Sequence, residues 1–185
     1  MFSHKRHTGT LALSALAATS ILSAAAYASD VPAPKMVLTA YVNGAGGESV
    51  MAGKYAEALA EIKKDRSSSS DAYTAKVTNQ CVTYAVTKQI DQALAACDEA
   101  LRAAKYERIA AQRFASGSSI QNSYVAIAYT NRAVVHMMAK DPEAAKVDMA
   151  RAQSLAPSAE FVSKNLLAMQ SSASKIAQLS AAPTR

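Results

Sequence analysis

The chain has 185 residues, of which 50% are hydrophobic, with no tryptophan and a formal net charge of +6 at neutral pH. This length allows one domain with a hydrophobic core. The basic excess is slight and no cluster of lysine and arginine is interleaved with aromatic residues, so composition gives no support for nucleic-acid binding.

Residues 1–28 are predicted to be a signal peptide. Lys5 and Arg6 precede an apolar, uncharged stretch over 11–28 that ends in the Ala-Tyr-Ala pattern recognised by signal peptidase. Cleavage after Ala28 would give an exported product, periplasmic or secreted, with no membrane insertion. The alternative is an uncleaved membrane anchor, but several serine and threonine residues dilute the hydrophobicity of this stretch.

The region that follows is not uniformly helical. Residues 29–38 contain two prolines and are expected to form an extended lead-in. The stretch 36–52 is ambiguous, because Gly44, Gly46 and Gly47 weaken any helix.

Hydrophobic periodicity then predicts a chain of helices with no strand. Ser70 or Asp71 is expected to cap the second of them, and Pro142 suits a first helical turn. A disordered tail is expected over 180–185. The predicted helices cover 54–64, 71–88, 91 to about 115, 120–139, 142–155 and 159 to about 179.

The helical region repeats itself. Copies begin near Thr39, Thr74 and Ala126, and the same phase resumes at Glu160, so successive copies are separated by 35, 52 and 34 residues. One link is therefore about eighteen residues longer than the others. The superposed positions of the second and third copies are Asn79 and Asn131, Cys81 and Ala133, Tyr84 and His136, Ala93 and Ala145, Cys97 and Met149, and Ala100 and Ala152; the resumed phase adds Asn165.

This pattern resembles the tetratricopeptide repeat family, whose unit of about 34 residues is a pair of antiparallel helices. The family's small residue midway along the first helix corresponds to Gly46, Cys81 and Ala133, and its early alanine in the second helix to Ala58, Ala93 and Ala145. The resemblance implies an all-α fold, a short right-handed solenoid over 39–179. It would comprise a degenerate repeat at about 39–72, two good repeats at about 74–107 and 126–159, and a capping helix at 159–179.

The resemblance also implies a function, namely a non-catalytic adaptor that binds a segment of another protein on its concave face. Asn79 and Asn131 are expected to hydrogen-bond the backbone of that segment. The alternative is a structural homo-oligomer, such as a homodimer, that buries the apolar concave face. The groove positions of the family correspond to Asn79, Val82, Val86, Thr130, Asn131, Val134, Met137, Met138, Phe161 and Lys164.

No catalytic residue, metal site or cofactor is expected. After cleavage the chain keeps one histidine, His136, at the position where the family places a large residue between helices, and it is interpreted as part of the core. Ser172 to Lys175 match the S-x-x-K pattern of some serine acyl enzymes, but the S-D-N and K-T-G partners of that pattern are missing.

Cys81 and Cys97 are expected to form a disulfide. Both are equally distant from a turn near Gln89, so an antiparallel helix pair brings them level with each other, and export would supply the oxidant. The alternative is two buried thiols that serve as small hydrophobic residues.

Two further packing contacts are expected at the ends of the helical region. The eighteen extra residues should lengthen two helices, with Ile109 and Phe114 meeting Ile120 and Tyr124. The inner face of the last helix should carry Phe161, Leu166, Leu167 and Met169.

Overall fold

A computed structural model describes residues 35–113 and 118–180, with the side chains of Ser118 and of 175–180 excepted. The predicted signal peptide and most of the predicted tail lie outside these ranges. Within them the chain is entirely helical apart from turns and one extended segment, which confirms the all-α prediction. The helices are α1 Gly47–Met51, α2 Tyr55–Lys64, α3 Ser70–Val86, α4 Ile90–Arg113, α5 Ser118–Met138, α6 Pro142–Leu155 and α7 Glu160–Ser180.

The helix ends agree with the sequence signals at α6 but not at α3. Asp141 caps α6 by accepting a hydrogen bond from the amide of Ala144 at 3.0 Å, and Pro142 lies in the first turn as predicted. The cap residue of α3 is Ser69, which makes no capping bond through its side chain. The prediction of a cap at Ser70 or Asp71 is therefore wrong, because α3 begins early enough to include both residues.

The glycine-rich region begins with extended chain that runs to Tyr41, three residues past the predicted lead-in, and then turns into the short helix α1. Gly46 is the N-cap of α1 and has a left-handed φ of 73°. Its predicted place midway along a helix is therefore wrong, since this backbone conformation does not occur inside a right-handed helix.

The helices are arranged in two sets. In the first set, α1 contacts α3, α3 contacts α5, and α5 contacts α7. In the second set, α2 contacts α1 and α3, α4 contacts α3 and α5, and α6 contacts α5 and α7. Each even-numbered helix therefore covers the junction between two odd-numbered ones.

The turn after the first helix of each pair has the same backbone structure three times. Gly53, Lys88 and Lys140 have φ values of 73°, 60° and 63°. Each donates its amide to the carbonyl three residues earlier, and the next residue donates to the carbonyl five residues before itself. This is a common way to end a helix. The three turns are 35 and 52 residues apart, so the predicted spacing recurs in the backbone.

Cys81 and Cys97 form the predicted disulfide, with their Cα atoms 4.8 Å apart. The alternative of two free thiols is therefore wrong. The bridge joins α3 to α4 at equal distances from Gln89, which shows that the two helices run antiparallel. Ala93 and Ala145, the early alanines of α4 and α6, have no solvent exposure and allow close helix contact.

The long link between the second and third copies lengthens α4 and α5, as predicted. At this end Ile109 and Ile120 are 48% and 58% exposed, so the expected contact would bury neither residue. Phe114 lies outside the described residues. Tyr124 packs edge-on against Tyr41, with ring centroids 5.6 Å apart.

The last helix packs against α5 and α6. Its predicted inner residues Phe161, Leu166 and Met169 are half-buried against the main core cluster, but Leu167 is 58% exposed and that part of the prediction is wrong. Among the side chains of α7 that the structure describes, the fully buried ones are smaller or polar: Val162, Asn165 and Ala168.

Candidate functional site

Three asparagines lie in a row across α3, α5 and α7. Asn79, Asn131 and Asn165 each have 0% solvent exposure. The helices that carry them are consecutive neighbours. A primary amide buried to this extent requires hydrogen-bond partners for both its oxygen and its nitrogen.

The partners are backbone groups of the extended segment that precedes α1. The amide of Tyr41 donates to Oδ1 of Asn79 at 2.7 Å, and Nδ2 of Asn79 donates to the carbonyl of Tyr41 at 2.9 Å. Asn131 makes the same two bonds with Thr39, both 2.8 Å long. Each asparagine thus binds the backbone of one residue as a neighbouring β-strand would.

The third pair completes the pattern at the other end. The amide of Val37 donates to Oδ1 of Asn165 at 2.6 Å, and Nδ2 of Asn165 donates to the carbonyl of Val37 at 2.8 Å. The asparagines therefore bind alternate residues of the segment, which runs from α7 towards α3. We call the extended residues 36–41 the strap, and Asn79, Asn131 and Asn165 the asparagine row.

The side chains of the strap between the bonded residues face the helices. Leu38 and Ala40 pack against a cluster that contains Val50, Ala58 and Val82, and Val82 is only 3% exposed. Leu38 also contacts the cluster around the disulfide. The strap thus covers an apolar surface as well as a polar row.

Tyr41 anchors the strap at its α3 end. Its hydroxyl is buried and has no hydrogen-bond partner among the described residues. Burial, followed by the charges of Tyr124 and Glu107, raises the pKa of Tyr41 above its usual range. The ring therefore remains neutral at physiological pH and acts mainly as a hydrophobic anchor.

A glycine turn leads from the strap into α1. Gly44 donates its amide to the carbonyl of Tyr41 at 3.1 Å, and Nδ2 of Asn79 also donates to the carbonyl of Ala45 at 3.1 Å. A Cβ atom on Gly47 would lie 2.0 Å from the carbonyl oxygen of Tyr41, and one on Gly44 would lie 2.7 Å from a methyl group of α3. In the sequence, Gly44 and Gly47 indicated only that a helix over this stretch would be weak. In the structure, their lack of a side chain allows the strap to approach the asparagine row.

Four of the predicted groove residues lie at this site. Asn79 and Asn131 bind a backbone, as their positions implied, but the backbone belongs to the same chain. Val82 is buried beneath the strap, and Val86 is half-buried against the same cluster.

Three other predicted groove residues occupy the interior or its edge. Thr130 is fully buried and its hydroxyl donates to the carbonyl of Ala126, within its own helix, at 2.8 Å. Val134 is 5% exposed. Phe161 is half-buried against the core.

The remaining three predicted residues lie away from the strap contacts. Met137 lines a different cavity, Met138 is 38% exposed, and Lys164 is an exposed residue paired with Glu160 at 2.7 Å.

Sequence reasoning left Asn165 out of the site. Its phase after Glu160 places it in step with Asn79 and Asn131, so the repeat spacing already contained the signal. The resemblance predicts only a capping role for the last helix, whereas this helix carries the third member of the asparagine row.

A buried ion pair fixes the helices behind the row. Arg132 of α5 makes two hydrogen bonds to the Asp148 carboxylate of α6, at 2.7 and 2.8 Å, and a third to Asp98 of α4 at 2.6 Å. The hydrogen bonds to the two carboxylates raise the pKa of Arg132, and the bonds to Asp148 contribute more than the bond to Asp98. His136 is half-buried, with Nε2 3.8 Å from the same carboxylate. The paired bonds between planar groups hold α5 and α6 in a defined orientation, and the single bond to Asp98 links α4 to them.

A second surface feature lies between α6, α7 and the end of α5. It is an apolar cavity of about 500 Å³ lined by Met137, Met149 and Met169, together with Leu166 and Ala150. Methionine side chains adapt readily to different shapes. This cavity does not share residues with the asparagine row.

No group of three or more potential metal-ligating side chains lies together in the described part of the chain. Of the helices described above, none combines the length and the apolar character needed to cross a bilayer. Comparisons with protein-family models, with curated proteins and with solved structures give no match.

Proposed function

We propose that the chain is a short helical-repeat protein of the tetratricopeptide type, built as a right-handed solenoid of antiparallel helix pairs. Three features support this proposal. The turn that ends the first helix of a pair recurs with the repeat spacing, each even-numbered helix covers two odd-numbered ones, and alanines are buried where helices meet.

The proposed function is that of a non-catalytic protein–protein interaction module whose asparagine row binds an extended segment of a partner protein. The observation that carries this proposal is the paired hydrogen bonding of three fully buried asparagines to alternate residues of an extended backbone. Side-chain amides arranged in this way bind main-chain groups and so accept segments of different sequence, with apolar contacts supplying specificity.

The proposed location is an exported compartment. A disulfide between buried cysteines is typical of proteins that fold where an oxidant is present, and Cys81 and Cys97 are joined. The predicted signal peptide agrees with this location but lies outside the described residues.

The second candidate is a structural homodimer, and the methionine-lined cavity favours it. An apolar surface of this kind is a common site of self-association. In that case the copies would associate through α6 and α7, and the asparagine row would only hold the strap.

Site-specific photo-cross-linking in the native cell tests both candidates. A photoreactive residue at Val86, beside the strap, should give adducts with one or a few partner proteins. The same residue at Val147, which is 52% exposed on α6, is the matched control and should not give those adducts. Adducts of twice the protomer mass from a photoreactive residue at Ala150, which lines the cavity, would favour the homodimer. The absence of any intermolecular adduct from Val86 would contradict the interaction module.

A further inference from the structure

We propose that the strap is a tethered internal ligand: it occupies the asparagine row, and a partner segment binds by displacing it. The inference rests on the proposed function and adds the regulation and specificity of the same site.

The strap can be separated from the helical core because it lies on the outside of it. None of the residues 35–45 is fully buried, and Val37 is 39% exposed, whereas the asparagines beneath are at 0%. When the strap leaves, the three amides are exposed to water, which replaces the lost hydrogen bonds. Displacement therefore uncovers the polar row and the apolar surface beneath Leu38 and Ala40, and does not require opening of the packed helices.

The contacts of the strap also define the chemistry of the partner. The partner segment must be extended, with a free amide and carbonyl at three alternate positions, which excludes proline there. Between these positions it needs a side chain of the size of Leu38 and then one of the size of Ala40, since both pack on the cluster beneath. Residues 36–42 carry no charge, and the asparagines are neutral, so the expected partner segment is uncharged.

Tethering determines how strongly the strap competes. A short flexible connection gives a tethered ligand an effective concentration on the order of millimolar. A second ligand binds only the molecules from which the strap has left the row. Its apparent dissociation constant is therefore the intrinsic one divided by the fraction of such molecules. A change that weakens the strap alone must strengthen binding of the second ligand by the same factor.

Thr39→Pro in the full chain weakens the strap in a defined way. Proline keeps the extended conformation but removes the amide that donates to Asn131. Val42→Pro is the matched control, because residue 42 is the first central position of the Tyr41–Gly44 turn, where proline is favoured. The probe is a fluorescent peptide with the sequence of Lys35–Val42, and its binding is followed by fluorescence polarisation.

We expect the peptide to bind Thr39→Pro about tenfold more tightly than the unmodified protein, the factor that corresponds to one unpaired buried acceptor. Val42→Pro should bind it as the unmodified protein does. If the peptide bound all three proteins with equal, measurable affinity, the strap would not compete and the inference would be overturned. The row would still bind a peptide, so the proposed function would stand. Binding to none would overturn the inference, and the cross-linking experiment would then decide the function independently.

Hydrogen exchange of the unmodified protein gives a second test that needs no variant. The amides of Val37, Thr39 and Tyr41 should exchange by local opening, at least tenfold faster than amides at the centre of α5. Exchange of these three amides only through global unfolding would show that the strap is part of the core, and would refute the inference.

Discussion

Replacement of Asn131 by alanine is the most direct test of the asparagine row. The change removes both hydrogen bonds between the Asn131 side chain and Thr39. The backbone amide and carbonyl of Thr39 are then left unpaired at a half-buried position. A hydrogen bond contributes about 1 kcal/mol net to folding, so the free energy of unfolding should fall by about 2 kcal/mol. For a domain of this size the corresponding fall in Tm is about 4–8 °C. Urea and thermal denaturation followed by circular dichroism measure both quantities.

Asn131→Asp sharpens this test because it keeps the shape of the side chain. The carboxylate still accepts from the Thr39 amide but cannot donate to the Thr39 carbonyl until it is protonated. Burial beside a carbonyl should raise the pKa of this carboxyl in the folded state above the usual value of about 3.9. The variant should therefore be closest to the unmodified protein below pH 4, and lose stability as the pH rises through the folded-state pKa.

The control for both variants is Asn43→Ala, since Asn43 is an exposed asparagine in the turn after the strap. It should change the free energy of unfolding by less than about 0.5 kcal/mol. If Asn131→Ala were as mild as this control, or if Asn131→Asp gained no relative stability on acidification, the row would not hold the strap as described.

Three further outcomes are expected. Replacement of both Cys81 and Cys97 by alanine should lower the free energy of unfolding by about 3 kcal/mol, because the bridge spans 16 residues; a loss below about 1 kcal/mol in denaturant titration would contradict this. Lys140→Gly should add about 0.5–1 kcal/mol by relieving its φ of 63°, and an unchanged urea midpoint would count against it. Tyr41→Phe should raise the free energy of unfolding at pH 7 by about 1 kcal/mol, because the buried hydroxyl that it removes has no hydrogen-bond partner among the described residues. The unmodified protein should lose stability above about pH 10 through the raised pKa of Tyr41, whereas the variant should lose less.

The helices were predictable because their signals are local. Periodicity, Pro142 and the alanine spacing depend on residues a few positions apart, and the predicted bounds of α6 match the structure. The disulfide was also predictable, since Cys81 and Cys97 flank one turn. Exposed apolar residues such as Leu167 misled the prediction of an inner face, because helical periodicity alone does not show which side a neighbouring helix covers.

The strap could not be predicted because the hydrogen bonds that hold it are made by its backbone and not by its side chains. The asparagines bind the backbone of Val37, Thr39 and Tyr41, which any residue except proline would offer. Asn165 and Val37 are also 128 residues apart in the chain. The repeat spacing therefore predicts where the asparagines lie, but not which extended segment they hold.

The alternate bonding of the strap restricts the register of anything that binds the asparagine row. Successive bonded residues of an extended chain are about 6.6–6.8 Å apart, and the residue between them directs its amide and carbonyl to the opposite side. A bound segment can therefore shift only in steps of two residues, since a shift by one would turn every donor and acceptor away from Asn79, Asn131 and Asn165. A segment whose intervening side chains fit both the place of Leu38 and that of Ala40 would then have several equivalent binding positions, and would slide along the row in two-residue steps while remaining bound.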